Sequence, residues 1–188
     1  MPDVALVSPY PRAGERHGGA SGVASYTANL AHALAGEGAD VTVVAPFEDR
    51  EPQIGRDGRV RVERRFGRGP GALPRALRAA RATGAPAVHL QHETFLYGGP
   101  SSVPGLVTAL AGLRRDGAAG VVTMHHVVDA RHVDRRFTAL HRVAAPAAVA
   151  RAGLDVVRTS IRRLADRVIV HEPAFTRAVP GAAVVPHG

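Results

Sequence analysis

Short, nearly all-apolar runs alternate with longer stretches of helical periodicity along the 188 residues of this chain. Val4–Val7 and residues 41–45 are the clearest of these runs, and a proline closes each of them within two residues. Runs of this length and composition are typical of parallel strands that are buried on both faces of a sheet. Helical spacing between them is shown by Val23, Tyr26, Leu30 and Leu34, with Gly36 and Gly38 at the end. The sequence therefore predicts a strand–helix–strand unit at its start.

The same alternation continues to the end of the chain. Strands are predicted at residues 60–66, 87–91, 120–124, 167–170 and 182–185, and helices at residues 74–82, 103–113 and 149–164. A further helix is predicted where Val133, Phe137, Leu140 and Val143 share one face, and the polar residues 47–57 predict a loop. Since strands that alternate with helices build parallel sheets, we predict one α/β domain, a Rossmann-like three-layer sandwich with a mostly parallel sheet.

All 24 basic residues are arginines, and the formal net charge is +8. A net charge of this size has two explanations. The arginines either attract anions, such as sugar phosphates, or simply lie on a solvated surface. The absence of cysteine excludes disulfides, thiolate metal sites and a cysteine nucleophile. The absence of lysine excludes a phosphate-binding loop that ends in Gly-Lys-Ser/Thr. No signal peptide precedes the first strand and no apolar run reaches membrane-spanning length, so we expect a cytoplasmic protein.

The loop after the first predicted strand is rich in glycine and leads into a helix. Its glycines are Gly14, Gly18, Gly19 and Gly22. Ser21 is a candidate N-cap, and free N–H groups at a helix start, together with the helix dipole, attract anions. A flexible surface loop without a ligand explains the same residues. A dinucleotide site is disfavoured, because Pro9 follows the strand where that site needs its first glycine.

Polar side chains also end two later predicted strands. His92 and Glu93 end one strand, and His125 and His126 end the next. Ligands of open parallel sheets bind at these carboxyl ends, where a neutral imidazole can bond a sugar hydroxyl or accept a proton. A purely structural histidine is the alternative at each position. His89 and His92 point to opposite sides of a strand, so this pair by itself predicts no metal site.

Five segments follow one another along the chain: the opening strand with Ser21-Gly22-Val23, then His89-Leu90-Gln91-His92-Glu93 with Phe95 and Gly98-Gly99, then Val122-Thr123-Met124-His125, Ala165-Asp166-Arg167-Val168-Ile169-Val170 and Val184-Val185-Pro186-His187-Gly188. Taken in order, they resemble the N-terminal domain of the retaining GT-B glycosyltransferases called group 1 or family 4. The order and spacing carry the resemblance over nearly the whole chain. Ser21 departs from it, since the family usually has a glycine there.

The resemblance implies transfer of a sugar from a nucleotide-sugar donor to an acceptor, with retention at the anomeric carbon and with no metal or other cofactor. It implies that His125 is the catalytic contact to the transferred sugar, that Ser21 and Gly22 lie near the donor phosphate, and that His92 and Glu93 line the acceptor side. It further implies that residues 1–188 are the acceptor-side domain, and that a C-terminal donor-binding domain is missing or is supplied by a partner chain. We therefore expect this chain to fold alone with little transferase activity.

Two other functions are compatible with the residues. One is a non-catalytic module that binds an acceptor or a partner. The other is a binder of anions at the inner membrane face or on nucleic acid, suggested by arginine-rich residues 56–68 and 158–167. Solvated strand and helix faces explain these arginines more simply, and aromatic residues for base stacking are scarce. No nucleic-acid partner is therefore predicted.

Overall fold

A computed structural model of the chain describes residues 1–15, 21–94, 96–98 and 102–187. The strands are β1 (Val4–Val7), β2 (Val41–Pro46), β3 (Ile54–Asp57), β4 (Val60–Phe66), β5 (Ala87–His92), β6 (Ala119–Met124), β7 (Arg167–Val170) and β8 (Ala183–Val184). The α-helices are α1 (Gly22–Gly36), α2 (Ala72–Ala82), α3 (Val103–Arg115), α4 (Arg135–Leu140) and α5 (Ala147–Leu164), and short 3-10 helices cover Ala130–His132 and Pro173–Arg177.

One eight-stranded sheet contains all of these strands, in the order β3-β4-β2-β1-β5-β6-β7-β8. Every pairing is parallel except that of β3 with β4. Helix α1 packs on one face of the sheet, while α2, α3 and α5 pack on the other. The predicted α/β sandwich with a mostly parallel sheet is confirmed.

The side chains of β1 point alternately to the two faces of the sheet. Ala5 and Val7 belong to the core under α2, α3 and α5, and Leu6 belongs to the core under α1. All three side chains have no exposed surface. This double burial is the reason that the strand has no polar residue between Val4 and Val7.

The buried side of α1 is lined by small residues, which differs from the prediction. Ala28, Ala31 and Ala35 pack against the valines of β2 and β4. The predicted face, with Leu30 and Leu34, is only half-buried. Alanine reaches the sheet here because the valines of the strands already fill the volume between the two layers.

The segment predicted as a loop at residues 47–57 contains a strand. Its end, β3, forms an antiparallel hairpin with β4 across Gly58, which has a φ of 59°. Edge strand β3 has no buried residue, so it lacks the apolar pattern by which strands are recognised.

A bulge changes the face that the end of β4 presents. The register with β2 shifts between Ala45 and Pro46, so Phe66 joins the core under α2 and α3 whereas Val60 and Val62 join the core under α1. An extra residue in one strand reverses the alternation beyond it. The simple two-residue period predicted for this strand is therefore correct only at its start.

The helix predicted around residues 133–143 is also shorter than expected. Only α4 is α-helical there, starting after the N-cap Asp134, whose carboxylate accepts from the backbone N–H of Phe137. Val133 is buried before the helix starts, while Leu140 is 78% exposed. The four apolar residues therefore do not form a common buried face.

The arginines of β4 do not form a free basic stripe. Arg61 and Arg65 both pair with Glu63, and their guanidinium groups hold the pKa of Glu63 below its usual value even though burial opposes that shift. Arg64 is buried and donates to the carbonyl oxygens of Pro11, at 2.8 Å, and Pro46, at 3.4 Å. These contacts support the structural interpretation of the arginine-rich stretch.

No helix in the described part of the chain combines the length and the apolar composition that crossing a bilayer requires.

Tyr97 ties β1 to β5 at the carboxyl ends of the two strands. Its hydroxyl lies 3.0 Å from the carbonyl oxygen of Val7 and 2.8 Å from that of Gln91, and its ring is buried. We predict that Tyr97→Phe lowers the free energy of unfolding by about 0.5–1.5 kcal/mol, because a buried hydrogen bond is lost while the ring stays. Urea unfolding followed by circular dichroism measures this, and an unchanged midpoint would show that the bond does not stabilise the fold.

Candidate functional site

The candidate site lies where β1 and β5 pair at the centre of the sheet. The chain leaves β1 through α1 on one face, and it returns to β5 through α2 on the other face. Such a topological switch point opens a crevice at the carboxyl ends of the strands, which is where open α/β sheets bind ligands. The predicted residues Ser21, Gly22, His92, Glu93 and His125 all belong to segments that meet there.

The first turn of α1 starts at this crevice. Ser21 is the N-cap, and its Oγ accepts a hydrogen bond of 3.2 Å from the N–H of Val23. Gly22 is exposed, and a Cβ at its position would meet no atom of the described chain within 4 Å. The glycine thus leaves open space beside the helix start, and Gly18 and Gly19 lie outside the described residues.

His125 follows β6 on the same side of the sheet as α1. Its backbone N–H donates to the carbonyl oxygen of His92, and its side chain extends the alternation of β6 away from Met124, which lies in the opposite core. Tyr26, one turn after Gly22 on α1, contacts the imidazole edge to face, with ring centroids 4.8 Å apart. The start of α1 and the end of β6 therefore share one side of the crevice.

A chain of side-chain hydrogen bonds holds His125 in place. Its Nε2 lies 2.8 Å from Oε1 of Gln91, so the imidazole donates this bond. The amide nitrogen of Gln91 lies 3.2 Å from Nε2 of His89, which also lies 2.8 Å from the hydroxyl of Thr123. Nε2 of His89 has a single lone pair, so in the tautomer protonated at Nδ1 the two groups share that lone pair as donors.

Two further histidines complete this side of the site, and sequence reasoning gave neither of them a role. His171 follows β7, and its Nδ1 lies 2.8 Å from the carbonyl oxygen of Val185. His187 stacks on His171 with ring centroids 3.6 Å apart. Tyr26 also lies against both rings, at 5.1 Å and 5.4 Å. In the sequence, only their positions could have pointed to these histidines. His171 directly follows a predicted strand, and His187 lies just after the last apolar run.

His92 lies on the opposite side of the sheet from His125. It pairs in register with Met124, so its side chain points toward α3 and α5. There His92 and Glu93 border a mostly apolar pocket with Leu106, Phe137 and Leu154. Nδ1 of His92 is buried without a hydrogen-bond partner among the described residues. Gly22 and His125 therefore lie on one side of the sheet and His92 on the other, so the strand ends carry two subsites and not one shared groove.

Burial favours the neutral form of His89, His92 and His125. Burial lowers the pKa of His89 and of His92 to about 4. Burial, together with the neighbouring His171 and His187, lowers the pKa of His125 to about 3. A neutral imidazole keeps one lone pair, so His125, whose Nε2 donates to Gln91, can accept a hydrogen bond at Nδ1.

A comparison with a solved structure agrees with this fold. The chain superposes on sucrose-phosphate synthase from Thermosynechococcus elongatus with a TM-score of 0.57 and 20% sequence identity, over 98% of this chain and 88% of that chain. A short-chain dehydrogenase/reductase from Veillonella parvula has a TM-score of 0.46 at 16% identity, over 93% of this chain and 73% of the other. No curated protein matches the chain significantly.

The sequence profile of Glycosyltransferase Family 4 matches residues 20–181, which include α1, β5, β6 and β7 with the polar residues at their ends. The match covers most of the chain and agrees with the parallel sheet described above. This chain therefore belongs to Glycosyltransferase Family 4.

Proposed function

We propose that this domain is the acceptor-side half of a retaining glycosyltransferase that transfers a sugar from a nucleotide-sugar donor to an acceptor. The observation that carries the proposal is the placement of His125 beside the first two turns of α1. The imidazole is fixed by Gln91, contacts Tyr26 and lies at the switch point. A hydrogen-bonding group and a helix N-terminus on one side of a crevice suit the transfer of a sugar from a nucleotide phosphate.

In this proposal, His125 and the start of α1 have different tasks. His125, held neutral by burial, contacts a hydroxyl or the reacting oxygen of the transferred sugar. Ser21 and Gly22 bring the donor phosphate to the start of α1, whose positive dipole end favours the charge that develops on the departing phosphate. No metal or cofactor is required for these tasks.

The pocket on the other face supports an acceptor with an apolar part. It lies between α3, α4 and α5 and is lined mostly by aliphatic side chains and Phe137. His92 and Glu93 are the ionisable groups at its edge next to β5. Ligand pockets commonly combine an apolar lining with a few polar groups that fix orientation. In this proposal, the two side chains orient the acceptor hydroxyl while the pocket holds the rest of the acceptor.

The negative charge of a departing nucleotide also requires cationic side chains to stabilise it. Two arginines at the crevice already have other partners. Arg64 donates to backbone carbonyl oxygens of the loop after β1, and Arg12 is paired with Glu48. We therefore propose that a second domain or a partner chain supplies the remaining contacts to the phosphates. A protein made of these residues alone would then bind ligands but turn them over slowly.

The proposal that further residues are needed for turnover is tested by measuring sugar transfer. Purified chain of residues 1–188 is incubated with a panel of nucleotide-sugars and apolar acceptor alcohols, and release of nucleotide is followed. We expect little or no release above the rate without protein, because in this proposal residues outside 1–188 supply the remaining contacts to the phosphates. Robust turnover by the chain alone would contradict the requirement for further contacts.

The proposed role of His125 is tested separately from catalysis. We predict that His125→Ala weakens nucleotide-sugar binding by about tenfold or more, the equivalent of one hydrogen bond to a polar ligand of roughly 1.4 kcal/mol. Calorimetric titration measures the affinity. His126→Ala is the matched control, because this adjacent histidine is exposed and its ring contacts Phe175 instead.

The same variants also show whether His125 is only structural. His125 is half-buried, so its replacement should lower the free energy of unfolding by no more than about 1.5 kcal/mol, the value of its bond to Gln91. Leu90→Ala, in the core on the opposite face of the sheet, should cost about 2–5 kcal/mol. If His125→Ala unfolds the domain as Leu90→Ala does, His125 is a core residue and the proposed role is wrong.

A further inference from the structure

His171 lies beside His125 at the crevice, with the centroids of the two rings 4.9 Å apart. His125 follows β6 and His171 follows β7, so the pairing of these two strands brings the side chains together. We propose that His171 is a second contact to the transferred sugar, and that it binds a hydroxyl group next to the one that His125 contacts. This inference rests on the proposed function and adds a specificity-determining residue to it.

The hydrogen bonds of His171 determine which of its ring nitrogens is able to bind a ligand. Its Nδ1 donates to the carbonyl oxygen of Val185 at 2.8 Å, so the lone pair of the neutral ring is on Nε2. That Nε2 is buried without a hydrogen-bond partner among the described residues, and His171 is only 5% exposed. A buried polar atom without a partner is unfavourable, so a ligand that donates a hydrogen bond to Nε2 would be bound favourably.

Both histidines line the same small part of the crevice. One ring nitrogen of His171 lies within 4.8 Å of a ring nitrogen of His125. Tyr26 contacts both rings, with centroid distances of 4.8 Å to His125 and 5.1 Å to His171. Since Tyr26 lies one turn after Gly22, the two imidazoles are also close to the start of α1. A sugar held by both histidines would therefore have its phosphate near that helix start.

The two imidazoles select hydroxyl groups and disfavour anions. Nε2 of His125 donates to Gln91, so Nδ1 of His125 is an acceptor, as Nε2 of His171 is. A sugar ring carries hydroxyl groups on adjacent carbon atoms, and each of them can donate to one of these acceptors. A phosphate without protons has nothing to donate and would face two lone pairs. The pair of histidines therefore suits the sugar of a nucleotide-sugar and not its phosphates.

A ligand reaches Nε2 of His171 only if a neighbouring group moves, and His187 is able to do so. The ring of His187 stacks on that of His171, with centroids 3.6 Å apart. His187 is exposed and lies beyond β8, so its ring can turn aside without disturbing the core. In this inference, the ring of His187 covers the site when no sugar is bound.

Nucleotide-sugar binding to the full chain tests the role of His171. Calorimetric titrations with UDP-glucose, UDP-N-acetylglucosamine and GDP-mannose identify the probe that binds most tightly, and UDP or GDP serves as the matching probe without sugar. His171→Asn removes Nε2 but keeps a side-chain N–H that can donate to Val185. We expect this variant to weaken binding of the nucleotide-sugar by about tenfold or more, the equivalent of one hydrogen bond, and to leave binding of the nucleotide unchanged.

Three further variants separate this contact from packing. His171→Gln has an amide that can accept near the position of Nε2, so it should restore part of the affinity that His171→Asn loses. His187→Ala should bind the nucleotide-sugar more tightly than the unchanged chain, because no ring has to turn aside. His132→Ala is the matched control, because His132 is exposed in the 3-10 helix Ala130–His132 and should bind as the unchanged chain does.

Nuclear magnetic resonance of the unchanged chain gives a measurement that does not depend on the folding of a variant. With histidines labelled by ¹⁵N, the nucleotide-sugar should shift the Nε2 resonance of His171, because an imidazole nitrogen that accepts a hydrogen bond changes its electronic environment. The nucleotide alone should leave that resonance in place. A resonance that does not respond to the nucleotide-sugar would overturn the inference, even if His171→Asn does not fold.

The outcomes distinguish the failure of this inference from the failure of the proposed function. If His125→Ala weakens binding of the nucleotide-sugar and His171→Asn does not, the proposed function stands and the inference is wrong. The inference is also wrong if His171→Asn weakens binding of the nucleotide equally, or if His187→Ala weakens binding as much as His171→Asn does. If the unchanged chain binds none of the three nucleotide-sugars, the proposed function fails and the inference fails with it.

Discussion

The pairing of β1 with both β2 and β5 is the constraint on which the rest of the structure depends. Because α1 crosses on one face and α2 returns on the other, the two strands beside β1 receive their connections from opposite sides. The loops after β1 and β5 consequently diverge and leave a crevice at the strand ends. Tyr97 bridges the two strands at this point, so the position of the crevice is fixed by a buried hydrogen bond as well as by topology.

The sheet itself divides the chemistry of the crevice. Side chains alternate across a strand, so neighbouring polar residues at one strand end serve different faces. His125 therefore lies with Tyr26 near the start of α1, and His92 lies with the apolar pocket between α3 and α5. In the proposed function, the environment of His125 takes the charged donor and the apolar pocket holds the acceptor, so the two substrates would meet beyond the strand ends.

The sequence predicted most of the strands and helices within a few residues, because buried strands and amphipathic helices have distinct periods. The prediction failed where the burial of a segment does not follow from the spacing of its apolar residues. β3 lies at an exposed edge and lacks an apolar pattern, and α1 buries alanines that propensity cannot distinguish from surface alanines. The bulge before Phe66 depends on the register with β2, which is a long-range property.

By itself, the sequence determined the parallel α/β architecture, the helix start at Gly22 and the identity of the strand ends at His92 and His125. Those properties depend on local patterns and on the order of segments. Only the tertiary structure decided that His92 and His125 face opposite sides and that His171 and His187 join His125. The reason is physical: a contact between residues far apart in the chain depends on strand order, register and the direction of each side chain, and none of these is contained in a local pattern.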